Sequence, residues 1–183
     1  MKTKFILHGG FAKGAEQEND AFFSEILKTA PNRAKVLLVY FAKDADRIAD
    51  SKTEDVEQFN KNKGDRVLSF QVAGESSFPE QVREADIVYL GGGHSDKLLD
   101  ALKKYPNLRE LFEGKIVAGD SAGANVLTSA FYSQKIGVSE GLGLVPIKII
   151  SHYLEENKDK LNHLRSDLET LYLPEYQFKV FEI

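Results

Sequence analysis

The segment from residue 115 to 130 constrains the fold of this chain more than any other. Lys115-Ile116-Val117-Ala118 is an apolar run that reads as a buried strand. Gly119-Asp120-Ser121-Ala122-Gly123 follows at once, and Ala124-Asn125-Val126-Leu127-Thr128-Ser129-Ala130 reads as the start of a helix. A strand that turns sharply into a helix through G-x-S-x-G holds its serine in strained backbone geometry, and glycines on either side spare the turn a clash of Cβ atoms. The start of the helix offers unpaired N–H groups to a developing oxyanion. Ser121 is therefore a candidate nucleophile. The plainer reading of the same residues is a small-residue turn that packs a helix against a sheet.

The rest of the chain repeats the alternation of apolar run and amphipathic stretch. Residues 4–8, 35–40, 66–70, 86–90 and 115–118 read as strands, and residues 16–29, 47–62 and 95–104 as helices, with helical turns at 80–84 and 108–112. Two later apolar runs, 147–150 and 178–181, read as strands, and the charged stretch 155–169 as an exposed helix face. Strands rich in Val, Ile and Leu, with glycines after their C-terminal ends, imply an α/β fold: three layers, a mostly parallel sheet with helices on both faces. The 183 residues suffice for one domain, 1–183, with a proper core.

Composition removes several function classes. The net charge of −4 and the lack of a basic patch argue against nucleic acid as a partner. With no cysteine there is no disulfide, thiol nucleophile or thiolate metal site. The opening apolar run is too short for a signal peptide and no stretch approaches a membrane span, so a cytoplasmic protein without a membrane partner is expected. No H-x-x-x-H or H-E-x-x-H pattern occurs, so no metal or other cofactor is implied.

Ligand sites in such folds lie at the C-terminal ends of strands. Gly9-Gly10, Gly91-Gly92-Gly93 and residues 119–123 all fall there, and two of these loops could give backbone N–H donors to one carbonyl oxygen. Neither G-x-G-x-x-G nor a phosphate-binding G-x-x-x-x-G-K-[ST] is present, which leaves nucleotide binding a minor reading. A serine nucleophile needs a base. His163 lies in the charged stretch; His8 ends the first strand and His94 follows the triple glycine. His152 stands just after the run Ile147-Lys148-Ile149-Ile150, at the sheet edge expected to carry Ser121, and is the best placed. For a carboxylate to orient the imidazole, Asp120, Glu140, Glu155, Glu156 and Glu182 are all available, and spacing chooses none of them.

The set Gly91-Gly92-Gly93-His94, Gly119-Asp120-Ser121-Ala122-Gly123-Ala124-Asn125, Gly141-Leu142-Gly143-Leu144-Val145-Pro146 and Ser151-His152-Tyr153 resembles the peptidase E family of serine peptidases, the aspartyl dipeptidases and their cyanophycinase relatives. The resemblance implies a class I glutamine-amidotransferase-like fold and cleavage of short peptides, with N-terminal Asp dipeptides as the substrate class. It implies Ser121 as nucleophile, His152 as base, the Gly92 and Ala122 N–H groups as oxyanion hole, and substrate contacts from His94 and Asn125. His94 replaces the Asn usual at that place. The family's third triad member is a Glu expected just after the last strand, and the sequence stops at Ile183, about where that loop would begin. Glu182 is then the expected substitute, with Glu140 the other candidate, or the domain is a truncated or degenerate member. A homodimer is a further expectation.

Two rival functions follow from the same residues. An amidotransferase-like domain that binds a ligand without turnover is supported by the missing acid. An α/β-hydrolase esterase is supported by Leu7-His8-Gly9-Gly10-Phe11, which looks like an HGGG oxyanion motif. The esterase fold needs an acid and then a histidine well after the serine, and only sixty-two residues follow Ser121.

Overall fold

The computed structural model of the chain describes residues 2–12 and 17–183. The first part of the chain runs β1 (Lys4–His8), α1 (Asp20–Leu27), β2 (Arg33–Val39), α2 (Ile48–Asn62), β3 (Val67–Val72), α3 (Phe78–Glu84), β4 (Ile87–Leu90), α4 (Ser95–Lys103), α5 (Leu108–Leu111) and β5 (Ile116–Asp120). The second part runs α6 (Ala122–Leu127), β6 (Thr128–Ser133), β7 (Gly137–Glu140), β8 (Val145–Ser151), β9 (Thr170–Leu173) and β10 (Phe178–Glu182). The expected helix start at Glu16 lies outside the described residues.

Six strands form one sheet in the order β10-β1-β5-β4-β2-β3. All its pairs are parallel except β1 with β10. Side chains alternate across each strand, and both faces are apolar because both are covered. Ile6, Val36, Leu38, Ile87 and Ala118 pack with Phe22, Phe23, Ile26 and Phe59 of α1 and α2. Phe5, Leu7, Leu37, Val88 and Val117 pack on the other side with Val82, Leu98, Leu102 and Leu111 of α3, α4 and α5. This is the three-layer α/β arrangement that continuous Val/Ile/Leu runs require.

A second sheet, ordered β7-β6-β8-β9, departs from the single sheet that the sequence implies. Its β6, β8 and β9 are parallel and β7 is antiparallel to β6. Two sequence readings change because of it. The helix after Ser121 stops at Leu127, where Thr128 turns extended (φ −85°, ψ 173°) and β6 begins. Thr128 Oγ1 donates to Asn125 O at 2.8 Å and closes the helix end. The stretch 155–169 is not a helix: beyond a single 3-10 turn, Glu155–Asn157, it runs as successive turns. Buried Lys148 of β8 explains why, since its Nζ donates to the carbonyls of Leu161 and Leu164, both at 3.0 Å. An α-helix would consume those carbonyls internally. Among the described residues no helix is long and apolar enough to cross a membrane.

Candidate active site

Ser121 sits between β5 and α6 with φ 49° and ψ −101°, a region non-glycine residues rarely occupy. Such an outlier costs of order 1–3 kcal/mol and persists only where its surroundings over-determine it. The flanking glycines show how. A Cβ on Gly119 would lie 2.4 Å from Gly123 C, and one on Gly123 would lie 2.2 Å from Leu90 O. The first turn of α6 is thus pressed onto the ends of β5 and β4, and only bare backbone fits.

The end of β1 holds the other side of the elbow. Three consecutive carbonyls accept three backbone N–H groups: His8 O from Ser121 at 3.1 Å, Gly9 O from His152 at 2.7 Å, and Gly10 O from Tyr176 at 3.1 Å. The segment His8-Gly9-Gly10, which resembled an esterase oxyanion motif, is here a backbone template for three separate chain segments. Its glycines are needed because those segments crowd it. A Cβ on Gly10 would lie 2.1 Å from His152 Cε1, and one on Gly9 1.8 Å from Pro174 O.

On this template the side chains meet in line. His152 Nε2 lies 2.9 Å from Ser121 Oγ, and His152 Nδ1 lies 2.7 Å from Glu175 Oε1. A carboxylate only accepts, so the proton belongs on Nδ1 and Nε2 is left to accept from the serine hydroxyl. Sequence reasoning did not name Glu175. The strand β9, alternating and just four residues long, was not recognised, and with it went the clue that a loop returns to the site. His152 follows Ser151 of β8, and Pro174-Glu175 follows Leu173 of β9; these strands are parallel, with Ser151 paired to Leu173. Their C-terminal ends therefore deliver His152 and Glu175 side by side.

Glu182 and Glu140 stand elsewhere. Because β10 is antiparallel to β1, Phe178 pairs with His8 at the site edge while Glu182 pairs with Lys4 at the opposite edge. The loop before the last strand, not the one after it, faces the serine. Glu140 ends β7 on the margin of the second sheet, paired with Ala130. His94 stands just before α4 without a side-chain capping bond and turns toward Asp44, with Nε2 3.8 Å from its Oδ2. It does not line the cavity described below, whereas Asn125 does. His163 is exposed in the turns after β8. Neither the Gly92 nor the Ala122 N–H makes a backbone hydrogen bond to a described residue.

A cavity of about 760 Å³ opens over Ser121 and His152. Lys43, Arg47 and Lys135 lie on its wall, and Glu54, Asp55 and Asp120 add carboxylates. Positions 47, 51, 54 and 55 follow helical spacing, so α2 and the turn before it present one face to the cavity. Asp55 is 5% exposed and accepts from the Tyr40 hydroxyl at 2.8 Å and the Tyr89 hydroxyl at 3.2 Å. Burial pushes its carboxyl up to about 7, with Asp120 adding to the rise and the two tyrosine hydroxyls opposing it. Asp120 Oδ1 lies 2.9 Å from Nδ1 of fully buried His8, whose ring stacks on Phe22 at 4.3 Å between centroids. Among the described residues no cluster of three or more His, Asp or Glu side chains could hold a metal ion.

The arrangement can be set beside known proteins. The structure is similar to the crystal structure of a peptidase from an acI-B1 Actinobacterium, with a TM-score of 0.74 and 20% identity over 99% of this chain and 84% of that one. It is also similar to a putative peptidase E protein from Listeria monocytogenes EGD-e, with a TM-score of 0.67 and 16% identity over 100% of this chain and 98% of that one. At these identities the likeness is one of fold. Comparison with curated proteins gives no match. The profile of Peptidase family S51 matches residues 5–172, from the first strand into the last strand of the second sheet. With nearly the whole sequence matched and the fold in agreement, the chain belongs to peptidase family S51.

Proposed function

We propose that the protein is a serine-type exopeptidase that hydrolyses short peptides through Ser121, His152 and Glu175. The observation that carries this reading is the unbroken line from serine hydroxyl to imidazole to carboxylate, with contacts of 2.9 and 2.7 Å. Ser121 Oγ attacks the carbonyl carbon of the scissile peptide as His152 Nε2 takes its proton. The tetrahedral oxyanion forms against the N–H groups of Gly92 and Ala122, each worth roughly 3 kcal/mol in the transition state. Nε2–H then protonates the leaving amine and the C–N bond breaks, leaving an acyl ester on Ser121. Water, deprotonated by the same nitrogen, attacks the ester and releases the acid. Glu175 holds Nδ1–H throughout and stabilises the imidazolium formed in each half.

Substrates with an N-terminal Asp find cations on one part of the cavity wall. Lys43 and Arg47 on its wall offer cations to an acidic side chain. The rival reading of a ligand binder without turnover rested on a missing acid, and a carboxylate stands 2.7 Å from His152 Nδ1. The test is turnover of Asp-Leu with and without Ser121→Ala, together with labelling by a fluorophosphonate. Hydrolysis abolished by the substitution, and labelling confined to Ser121, is the expected result. Undiminished hydrolysis by Ser121→Ala would remove the assignment.

A further inference from the structure

The triad leaves a second polar group on the cavity unused. Asp120 is the residue before the nucleophile and is only 8% exposed. Its Oδ1 is held by His8, while Oδ2 borders the oxyanion side of the site: a Cβ placed on Gly92 would lie 2.7 Å from it. Asn125, 2% exposed and on the same cavity, donates Nδ2 to Ser95 Oγ at 3.3 Å and leaves Oδ1 buried with no partner among the described residues. Asp55 of α2 lines the same cavity, accepts from the Tyr40 and Tyr89 hydroxyls and feels the charge of Asp120. Among the described residues no lysine or arginine forms an ion pair with Asp55 or Asp120. Asp120 Oδ2 and Asn125 Oδ1 thus stand on the cavity without a lysine or arginine partner among the described residues, and a buried acceptor left unmade costs about 1–3 kcal/mol.

We propose that Asp120, Asn125 and Asp55 form a subsite for the α-ammonium group of the substrate's N-terminal residue. This rests on reading the cavity as a peptidase site. Covalent geometry supplies the placement. In an N-terminal residue the amine nitrogen lies roughly 2.7–3.6 Å from its own carbonyl oxygen. A carbonyl oxygen on the Gly92 N–H therefore brings the amine to the border where Asp120 Oδ2 stands. An ammonium has three donors and no acceptor, which suits Asp120 Oδ2 and Asn125 Oδ1, while Asp55 on the same cavity adds charge in its ionised form. The bound cation also offsets the Asp120 carboxylate, which would otherwise oppose the oxyanion beside it. The subsite thereby makes a free N-terminus a condition of fast cleavage and assigns the residue after it to the leaving side.

The test uses Ser121→Ala protein, so that binding is read without turnover, and calorimetric titration with Asp-Leu, N-acetyl-Asp-Leu and N-acetyl-Lys-Leu. Asp-Leu is expected to bind at least 30-fold more tightly than its acetylated form. Adding Asp120→Asn should bring that ratio below about 5. Asp55→Asn, farther from the elbow, should lower it by a smaller factor and serves if the first variant does not fold. Equal binding of the two Asp peptides, no binding of Asp-Leu, or a ratio that survives both substitutions overturns the proposal. So does tight binding of N-acetyl-Lys-Leu, which would place a side-chain ammonium there instead. Failure of the peptidase reading is separate: Asp-Leu would then bind Ser121→Ala protein with the stated preference, yet unmodified protein would not hydrolyse it.

Discussion

Glu175 and Glu182 differ by seven positions and lie at opposite edges of the sheet, and that difference separates their roles. Glu175 touches His152 Nδ1. In the proposed mechanism Glu175→Gln removes the charge that stabilises the imidazolium and leaves an amide able to favour the wrong tautomer. Its kcat on Asp-Leu should fall about 10²–10⁴-fold with little change in KM. Glu182→Gln should leave both constants within about twofold, since its carboxylate stands at the Lys4 end of β1. Steady-state kinetics of the pair check this. Gly10 gives an independent probe of the imidazole. A methyl group there would overlap the His152 ring, and Gly10 itself has φ 124°. Gly10→Ala should reduce kcat at least about 10²-fold, the scale expected when a catalytic group is displaced by an ångström. Fluorophosphonate labelling of Ser121 should slow in parallel.

At the scale of elements, the site is a junction between two sheets. The first supplies Ser121 from β5 and the template from β1; the second supplies His152 from β8 and Glu175 from β9. The turns over residues 155–169 connect those last two strands and hang on one buried amine. Lys148 Nζ reaches the carbonyls of Leu161 and Leu164, and Leu161 is fully buried beside it. Lys148→Met keeps the side-chain length and removes the donors. The freed carbonyls should then turn to water, and limited proteolysis should cut within residues 157–168 at least several-fold faster than in the unmodified protein. An unchanged cleavage rate would show that Leu161 alone anchors the segment.

At the scale of the molecule, Asp55 couples stability to pH. Tyr40 beyond β2, Tyr89 of β4, Asp120 of β5, Lys43 in the loop between β2 and α2, and Glu54 on α2 all act on it or stand beside it. Burial raises its folded-state pKa from 3.8 to about 7, so the folded protein binds this proton more tightly than the unfolded chain does. Stability from this group is therefore greatest below about pH 4, declines as pH rises, and reaches its minimum above about pH 7. At 1.36 kcal/mol per unit the full span is of order 4 kcal/mol. Asp55→Asn should flatten that component, and urea denaturation at pH 5 and pH 8 measures it. A wild-type stability that rises across this interval by the same amount would contradict the assignment.

Much of this was legible in the order of residues. Continuous apolar runs dictate strands buried on both faces, because only a covered parallel sheet accepts them. G-x-S-x-G between strand and helix marks Ser121, since a turn that sharp tolerates only glycine beside it. His152 was readable as a residue just past a strand end on the same edge. These are local facts, set by sterics and burial within a few residues. The second sheet was not legible, because β6 opens within a run that reads as helix, β7 and β9 have only four residues each, and β8 meets β6 and β9 across intervening segments. The direction of β10 was decisive. An antiparallel last strand puts its preceding loop at the active edge and its end at the far one, which is why Glu175 and not Glu182 meets His152. Strand direction and pairing depend on contacts across the whole chain, so the sequence determined the serine elbow and the proposed nucleophile on it, while only the tertiary structure decided which carboxylate stands behind His152.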